Sequence, residues 1–261
     1  MRYIISLLFL AVPVLGVYTF MNAADHGWWF PERASSYAEE IDSLFNLIMY
    51  MVGVVFIATE MALAWFLYRY SKKGPEKGVF THGNHKLEMV WTAIPAVVLL
   101  FIAFDQMKTW ADIKFQKNFP SSGKFSVEHP IGEVWASQFD WRFRYPGEDG
   151  LLGTTDDLEN AFEFVVPIDE AITFNLRSRD VIHSFFVPQF RIKQDALPGH
   201  TIPVWFKATK VGIYDLVCAE LCGWGHYKMA GRVRVVSMKE YDERMAALKK
   251  HWFDNGSEDA K

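Results

Sequence analysis

Cysteine is scarce in this 261-residue chain, and its scarcity limits what the protein can be. Only Cys218 and Cys222 occur, so the chain has no framework of several disulfides. The three residues between them are one too many for the C-x-x-C spacing of a thioredoxin-type motif, and no C-x-x-C-H haem-attachment motif follows them. The pattern excludes a disulfide-stapled fold and predicts no fused c-type haem domain.

Excess positive charge, internal repeats and low-complexity tracts are also lacking. The formal net charge is −4, and the Lys and Arg residues that do cluster lie beside apolar segments. A nucleic-acid-binding protein would carry a basic patch or stripe instead. We therefore expect no nucleic-acid partner.

Apolar residues are distributed unevenly, and two long apolar runs occur between residues 40 and 110. One run extends from Leu44 to Tyr68 and is interrupted only by Glu60; the other extends from Met89 to Met107, with Asp105 near its end. Each is long enough to cross the ~30 Å hydrocarbon layer of a membrane. The sequence predicts a two-helix transmembrane hairpin within residues 40–110, in contact with membrane lipid.

The charges around these runs predict the orientation of the hairpin. The connecting loop carries five basic residues and one acidic residue up to Lys86, whereas Glu39, Glu40 and Asp42 precede the first run. By the positive-inside rule, the loop at residues 69–88 is cytoplasmic. The chain after residue 110 is then expected on the outer, periplasmic side of a bacterial cytoplasmic membrane.

An earlier apolar run, from Tyr3 to Phe20, has two interpretations. It is long for a signal-peptide core, and the following Met21-Asn22-Ala23-Ala24 lacks a clean small-x-small cleavage pair. Residues 1–24 are therefore either a signal peptide or an additional transmembrane helix, and the length favours the helix.

Two carboxylates associated with the spans need an explanation, because ionisable groups are costly in hydrocarbon. Glu60 lies in the middle of the first span, where pairing with partner helices is the simplest interpretation. Glu88 lies at the cytoplasmic mouth of the second span. Taken alone, Glu88 is a helix-end charge that reaches water.

The remainder of the chain is rich in short β-type runs. These runs, separated by Gly- and Pro-containing turns, are KFSVEH, EVWASQFDWRFRYP, FEFVVP, AITFNLRS, IHSFFVP, TIPVWFKA, GIYDLVC and GRVRVVS. Alternation places Phe139, Trp141, Phe143 and Tyr145 on one face of a strand. Residues 111–237 are predicted to form a β-sandwich or Greek-key barrel, with an exposed loop at 146–160. In residues 238–261, Lys239–Trp252 has helical spacing before a polar tail.

The segment from Cys218 to Met229 concentrates metal-binding chemistry. It contains two thiols, the imidazole of His226 and a thioether, and a second imidazole is available upstream at His183. Soft sulfur and nitrogen ligands favour copper over magnesium, calcium or manganese. A mononuclear blue-copper site uses one Cys, so the second thiol indicates that two sulfurs could bridge two coppers. A disulfide or a zinc site remains an alternative at this stage.

These residues resemble subunit II of haem-copper cytochrome c oxidases over about residues 40–236. The resemblance rests on C-x-E-x-C-G-x-x-H-x-x-M from Cys218 and on D-V-x-H-S-x-x-V-P from Asp180. It implies an α+β membrane protein, with a transmembrane hairpin followed by a cupredoxin-like domain that holds a binuclear CuA centre. The implied copper ligands are His183, Cys218, the Glu220 carbonyl, Cys222, His226 and Met229. The Glu220 side chain would help bind a magnesium ion shared with subunit I.

The second span adds to the resemblance. Its family pattern E-x-x-W-T-x-x-P is present as Glu88, Trp91, Thr92 and Pro95. The resemblance implies that Glu88 lies at the entrance of a proton-uptake channel, the K-pathway, in the neighbouring catalytic subunit.

The electron-entry strand departs from the family pattern. The family usually has Q-W-x-W-x-x-x-Y, but here Phe139 replaces the leading Trp, and Arg142 and Arg144 occupy a region that is often neutral or acidic. We expect electrons to enter near Phe139 or Trp141. The two arginines leave open whether a positively charged cytochrome c or another haem donor docks there.

The resemblance implies an electron-transfer subunit of a respiratory haem-copper oxidase. It would accept electrons from cytochrome c or an equivalent haem donor and pass them to haem in subunit I, where oxygen reduction is coupled to proton translocation. Its partners would be subunit I and the other oxidase subunits. Three alternatives are a metal-free quinol-oxidase subunit II, the copper domain of a nitrous-oxide reductase and a copper chaperone. The soft ligands disfavour the metal-free quinol-oxidase subunit. The two membrane spans disfavour the nitrous-oxide reductase domain. A copper chaperone is disfavoured because its thiols would be exposed on a flexible surface, whereas these ligands lie among strands.

Overall fold

The structure is a computed structural model that describes residues 2–71, 80, 82–121, 123–161 and 163–255. The chain divides into two compact units. One comprises residues 1–31 and 42–108, and the other comprises residues 32–41 and 109–261. Most of the predicted basic loop, with Lys72, Lys73, Glu76 and Lys77, lies outside the described residues, as does the polar tail from Gly256.

Three long helices make up most of the first unit. They are α1 (Arg2–Asn22), α2 (Ala38–Tyr70) and α3 (His85–Lys114). All three contain a segment long and apolar enough to cross a membrane. The two predicted spans are therefore helical and extend beyond their apolar cores, and the helical form of α1 fits both interpretations of residues 1–24.

The second unit contains two five-stranded sheets. The first has the order β3-β2-β1-β5-β8, and its strands are Glu133–Ser137 (β1), Asp140–Tyr145 (β2), Leu158–Ala161 (β3), Ala171–Ser178 (β5) and Ile202–Lys207 (β8). The other has the order β4-β10-β9-β6-β7, and its strands are Glu163–Pro167 (β4), His183–Val187 (β6), Ile192–Ala196 (β7), Gly212–Cys218 (β9) and Ala230–Val236 (β10). The predicted β-sandwich is confirmed. A helix α4 (Met238–Asn255) follows and matches the predicted C-terminal helix.

Aromatic side chains from the two sheets meet in the core. Along β2, Trp141, Phe143 and Tyr145 are fully buried, while the intervening arginines face outward. Phe143 stacks on Phe164 of β4, with ring centroids 5.3 Å apart. Burial of each such ring stabilises the domain by ~1.5–3 kcal/mol. The core thus fixes which face of β2 points inward.

Some sequence-based boundaries differ from the structure. The run KFSVEH forms no strand, and Leu158 of the predicted 146–160 loop is buried in β3. Strand β7 had no sequence signal, because Lys193, Gln194 and Asp195 break the apolar pattern. Phe139 also precedes β2 and does not share its buried face. Pairing with neighbouring strands, which local propensity does not encode, decides these cases.

Candidate metal centre

A β-hairpin holds the ligand-rich segment. Strands β9 and β10 pair antiparallel up to Val217 and Ala230, so residues 219–229 form the connection between them. The Cys218 amide donates a hydrogen bond to the Met229 carbonyl at 3.2 Å, which closes the connection at its base. His226 begins a short 3-10 turn that ends at Lys228. The first and last soft side chains of the motif are therefore tied to a rigid sheet.

Strand pairing brings His183 to this loop. His183 is the first residue of β6, and β6 pairs with β9 so that Phe185 lies opposite Cys218. The Ala219 amide also donates to the Ser184 carbonyl at 3.0 Å. The imidazole 35 positions upstream of Cys218 is thus held beside the thiols by main-chain hydrogen bonds.

The two thiols are close to each other but are not bonded. Their Sγ atoms lie 3.9 Å apart, and both cysteines are free. A disulfide requires an S–S distance of about 2.05 Å. The disulfide alternative is therefore not the arrangement of this structure.

Two imidazoles and a thioether surround the sulfur pair. His183 Nδ1 is 3.9 Å from the Cys218 Sγ, and His226 Nδ1 is 3.7 Å from the Cys222 Sγ. The Met229 Sδ lies 3.8 Å from the Cys222 Sγ. Cys218 also contacts the Glu220 carbonyl oxygen at 3.2 Å. Each thiol has its own imidazole neighbour, so two sulfur–nitrogen pairs lie side by side.

The donor set fits copper by its chemistry. Ligand atoms of His183, Cys218 and Cys222 all lie within 4.8 Å of one another, and the three residues are buried. Two thiolates, two imidazoles and a thioether are soft or borderline ligands, which suit copper and not magnesium or calcium. Met229 is almost fully buried at the site, whereas zinc sites use Cys, His and carboxylate ligands.

The two thiols differ in acidity. Burial would raise the pKa of Cys218, but hydrogen bonding with His183 and with the Ser184 backbone lowers it to about 6. Burial and the adjacent negative charge of Cys218 raise the pKa of Cys222 to about 11. The metal-free pair therefore holds one thiolate at neutral pH, and a metal that binds both sulfurs must displace the second proton.

Asp180 fixes the orientation of the His183 ring, and sequence reasoning assigned it no role. Its Oδ1 lies 2.8 Å from His183 Nε2, and its Oδ2 accepts the Gln138 amide at 2.7 Å. Burial would raise the pKa of Asp180, but hydrogen bonds from His183 and the Gln138 amide keep it below its ordinary value. A carboxylate on one ring nitrogen leaves the other, Nδ1, free to face the thiols. The position of Asp180 three residues before His183 was the available signal.

Gln138 and Phe139, the two residues before β2, contact the ligand loop. Gln138 donates its side-chain amide to the Cys222 carbonyl. The Phe139 ring lies against Gly225, where an added Cβ would be 2.5 Å from the ring. Gly223 has φ +135°, a conformation that other residues rarely adopt. Two glycines thus allow the loop to lie directly on Phe139, and the sequence alone did not reveal this contact.

The predicted electron-entry aromatics occupy different environments. Trp141 is fully buried, with its ring centroid 6.3 Å from that of His183. Phe139 is half-buried and makes an edge-to-face contact with Trp224 at 5.0 Å. Trp224 itself is 77% exposed. The part of this aromatic group that a docking protein can touch is therefore mainly Trp224.

Acidic neighbours pair with the arginines of β2. Arg142 lies 3.2 Å from an Asp140 carboxylate oxygen, and Arg144 lies 2.9 Å from Glu159. Arg144 also approaches Glu133 and Asp157 at 3.8 and 3.7 Å. Local carboxylates therefore offset both positive charges, and this surface is not the basic patch that the sequence of β2 suggests.

Glu88 lies in the first turn of α3. Asn84 precedes the helix, and its side-chain oxygen accepts the Lys86 and Leu87 amides at 3.1 and 3.3 Å, as an N-cap does. The Glu88 carboxylate is half-exposed and 3.5 Å from His85 Nδ1.

The Glu220 side chain is exposed, so its carboxylate does not join the buried donors. Within the described ranges, the only group of three or more His, Cys, Asp or Glu side chains close enough to hold a metal is His183, Cys218 and Cys222. A magnesium ion at Glu220 would therefore need its other ligands from outside this part of the chain.

Comparison with known proteins identifies close similarity over both units. Residues 23–109 match the family model for the transmembrane domain of cytochrome c oxidase subunit II, and residues 136–236 match the model for its periplasmic domain. Cytochrome c oxidase subunit 2 of Thermostichus vulcanus is 31% identical, over 88% of this chain and 81% of the relative. An alternative cytochrome c oxidase subunit 2 of Bradyrhizobium diazoefficiens is 29% identical, with 82% of each chain covered.

A solved structure is also similar. The periplasmic domain of cytochrome oxidase subunit II from Bradyrhizobium japonicum is 32% identical, over 46% of this chain and 93% of the solved chain, with a TM-score of 0.41.

Proposed function

The chain belongs to the cytochrome c oxidase subunit II family, and from this premise we propose that its ligand loop holds a binuclear copper centre of the CuA type. It serves as the electron-transfer subunit of a haem-copper oxidase, a membrane-bound oxidoreductase complex. One observation carries the proposal: two unbonded thiols lie 3.9 Å apart, and each has an imidazole Nδ1 within 3.9 Å.

The proposed copper ligands are the donors described above. The thiols of Cys218 and Cys222 and the imidazoles of His183 and His226 would hold the copper pair, and the Met229 thioether and the Glu220 carbonyl would be weaker ligands. When bound, the copper pair accepts and releases one electron at a time. The chain's own contribution is a rigid, buried cage anchored on β6, β9 and β10, because a cage that barely moves between oxidation states favours fast electron transfer.

The surrounding residues position these ligands. Asp180 holds the His183 ring, Gln138 holds the Cys222 carbonyl, and the closed base of the hairpin holds Cys218 and Met229. Trp141 covers His183 from the interior and excludes water from that side. Phe139 and Trp141 flank the cage and lie on the proposed path of the incoming electron.

The complex supplies the remaining chemistry. Electrons come from a cytochrome c or an equivalent haem donor and pass to haem in subunit I, where oxygen is reduced and protons are translocated. The α2–α3 hairpin anchors the chain in the bacterial cytoplasmic membrane, with the β-domain on the periplasmic side. Glu88 lies at the proton-uptake entrance of subunit I, and the exposed Glu220 carboxylate is one ligand of a magnesium ion shared with it.

Metal analysis of the purified oxidase tests the proposal. We expect two coppers associated with this subunit and an EPR spectrum in which one unpaired electron is shared by both ions. Cys222→Ser should abolish that spectrum while the subunit remains in the complex. Ser237→Ala is the control, because Ser237 follows the end of β10 that is opposite to the ligand loop. A single copper, a zinc ion or no metal in this subunit would overturn the copper assignment; no metal would favour the metal-free quinol-oxidase type.

A further inference from the structure

The ligand loop exposes three large apolar side chains. Leu221, Trp224 and Tyr227 are 77%, 77% and 84% exposed, and we call them the loop patch. They are interleaved with Cys222 and His226, whose donor atoms point inward. Clustered exposed apolar residues mark interaction sites, and Trp and Tyr are over-represented among energetically dominant contacts. The loop that carries Cys222 and His226 thus presents three large apolar side chains to solvent.

Trp224 differs from the other two members because it is connected to the cage in two ways. Through the chain, it is two residues from Cys222 and two residues from His226. Through space, its ring meets the Phe139 ring at 5.0 Å with an interplanar angle of 66°. The Phe139 ring in turn lies against the backbone of Gly225. The exposed Trp224 ring thus contacts Phe139, the ring on which the ligand loop lies.

The Trp224 ring is also held in place. The Lys228 Nζ lies 4.7 Å from its centroid, in a cation–π contact. Gly223 and Gly225 on either side let the loop approach Phe139 closely. An ordered ring at the surface keeps the gap between a docked donor and the cage short, and tunnelling rates fall exponentially with that gap.

The geometry points to Trp224 as the side chain through which electrons enter this protein from its haem donor. This inference rests on the proposed function. One electron passes from the ferrous haem iron of the donor, which becomes ferric, to the copper pair, which is reduced by one electron. No bond forms or breaks, and the indole ring provides electronic coupling without being oxidised. Trp224 thereby supplies the electron-entry indole that residue 139, a Phe, does not have.

The test uses the assembled oxidase and the c-type cytochrome from the same cells that supports the fastest oxygen uptake by the native complex. Trp224→Leu and Trp224→Phe are compared with Leu221→Ala, which removes exposed apolar area from the same loop but no ring. Stopped-flow absorbance measures the rate of copper reduction at saturating cytochrome. Calorimetry measures the cytochrome Kd, and EPR measures the intact copper signal.

We expect Trp224→Leu to slow reduction at saturation about tenfold or more, the equivalent of a barrier about 1.4 kcal/mol higher. Trp224→Phe should retain part of the rate, and Leu221→Ala should weaken binding while the saturating rate stays near native. The EPR signal should be native in all three, because the substituted side chains are exposed and bind no metal.

Two results would overturn the inference alone. In one, Trp224→Leu raises the Kd but leaves the saturating rate unchanged, so Trp224 only docks the donor. In the other, Phe139→Leu slows reduction while Trp224→Leu does not, so the electron bypasses the indole. Loss of the two-copper signal from the native complex is a different failure, because it removes the proposed function itself.

Discussion

Asp180 shows how one residue connects separate parts of the centre. Its two carboxylate oxygens bind His183 Nε2 and the main chain of Gln138, and the side chain of Gln138 binds the Cys222 carbonyl. The chain of hydrogen bonds runs from one ligand, through Asp180 and Gln138, to the other side of the cage. The ring orientation of His183 therefore depends on a residue that binds no metal.

Replacement of Asp180 by Asn tests this dependence. We expect Asp180→Asn to lower copper affinity about 10–100-fold, because loss of a carboxylate partner typically costs a metal-binding His that much. Copper retained by the purified oxidase against increasing chelator gives the affinity. Asp215→Asn, at an exposed position on β9, is the matched control and should behave as the native protein does. Equal retention in both variants would show that Asp180 does not support the site.

The sequence identified the candidate ligands at the residue scale but not their supports. The Cys, His and Met residues can be recognised as candidate ligands because few other roles combine those side chains in so short a segment. Asp180 and Gln138 are ordinary surface residue types, and only their distances to His183 and Cys222 give them a role. The same holds for Trp224, whose exposure and contact with Phe139 are properties of the folded chain.

At the scale of elements, the loop of the β9–β10 hairpin packs against the segment before β2. The loop lies on the Phe139 ring at Gly225, and this glycine has φ −91°, which any residue can adopt. The nearest obstacle to a side chain at Gly225 is therefore the Phe139 ring. At Gly223, with φ +135°, the backbone itself also excludes a side chain.

This difference predicts that removing the Phe139 ring restores copper binding to a Gly225 variant but not to a Gly223 variant. Gly225→Ala should displace the loop and reduce copper content, because its Cβ would overlap the Phe139 ring. Adding Phe139→Ala should restore much of the copper by removing that ring. Gly223→Ala should also lose copper, but Phe139→Ala should not rescue it. Copper content and the EPR spectrum of the four variants check the pattern, and rescue at both glycines or at neither would contradict it.

Strand prediction succeeded where burial alternates and failed where it does not. Residues 141–145 of β2 carry the alternation that one buried face requires, so their inward face was predicted correctly. KFSVEH has the composition of a strand but forms none, and β7 forms beside β6 despite a polar sequence. Hydrogen bonding to a neighbouring strand stabilises β7, and the neighbour is not visible in local sequence.

At the scale of the whole molecule, the apolar helices indicate a larger assembly. No residue of α3 is buried in this chain. Lipid or partner subunits must cover such a surface, and a catalytic subunit is the partner that we propose. The position of Glu88 in the first turn of α3 then places a carboxylate at one edge of that surface.

Oxygen turnover tests the role of Glu88. We expect Glu88→Gln to lower turnover of the assembled oxidase about tenfold, or about 1.4 kcal/mol on the barrier, because Gln cannot take up and release a proton. Copper content and donor Kd should stay native, which separates proton uptake from electron entry. Lys86→Gln, on the same helical turn, is the control. Native turnover in Glu88→Gln would remove this residue from the proton path.

Membrane orientation is a second prediction at this scale. In a background with Cys218→Ser and Cys222→Ser, single cysteines can be placed at exposed Asp149 in the β-domain and at exposed His82 before α3. An impermeant maleimide should label Asp149→Cys in cells with an intact cytoplasmic membrane. It should label His82→Cys only after that membrane is permeabilised. The reverse pattern would invert the proposed topology.

The sequence by itself determined the two membrane spans, the β-sandwich class and the soft ligand set, because apolar length, period-two alternation and ligand spacing are local properties of a chain. Only the tertiary structure decided how His183 meets the thiols, which residues hold its ring, and why Phe139 lies beneath the loop with Trp224 outside it. Those relations depend on the pairing of β6 with β9 and on the packing of two sheets. They join residues tens of positions apart, and no local pattern records such distances.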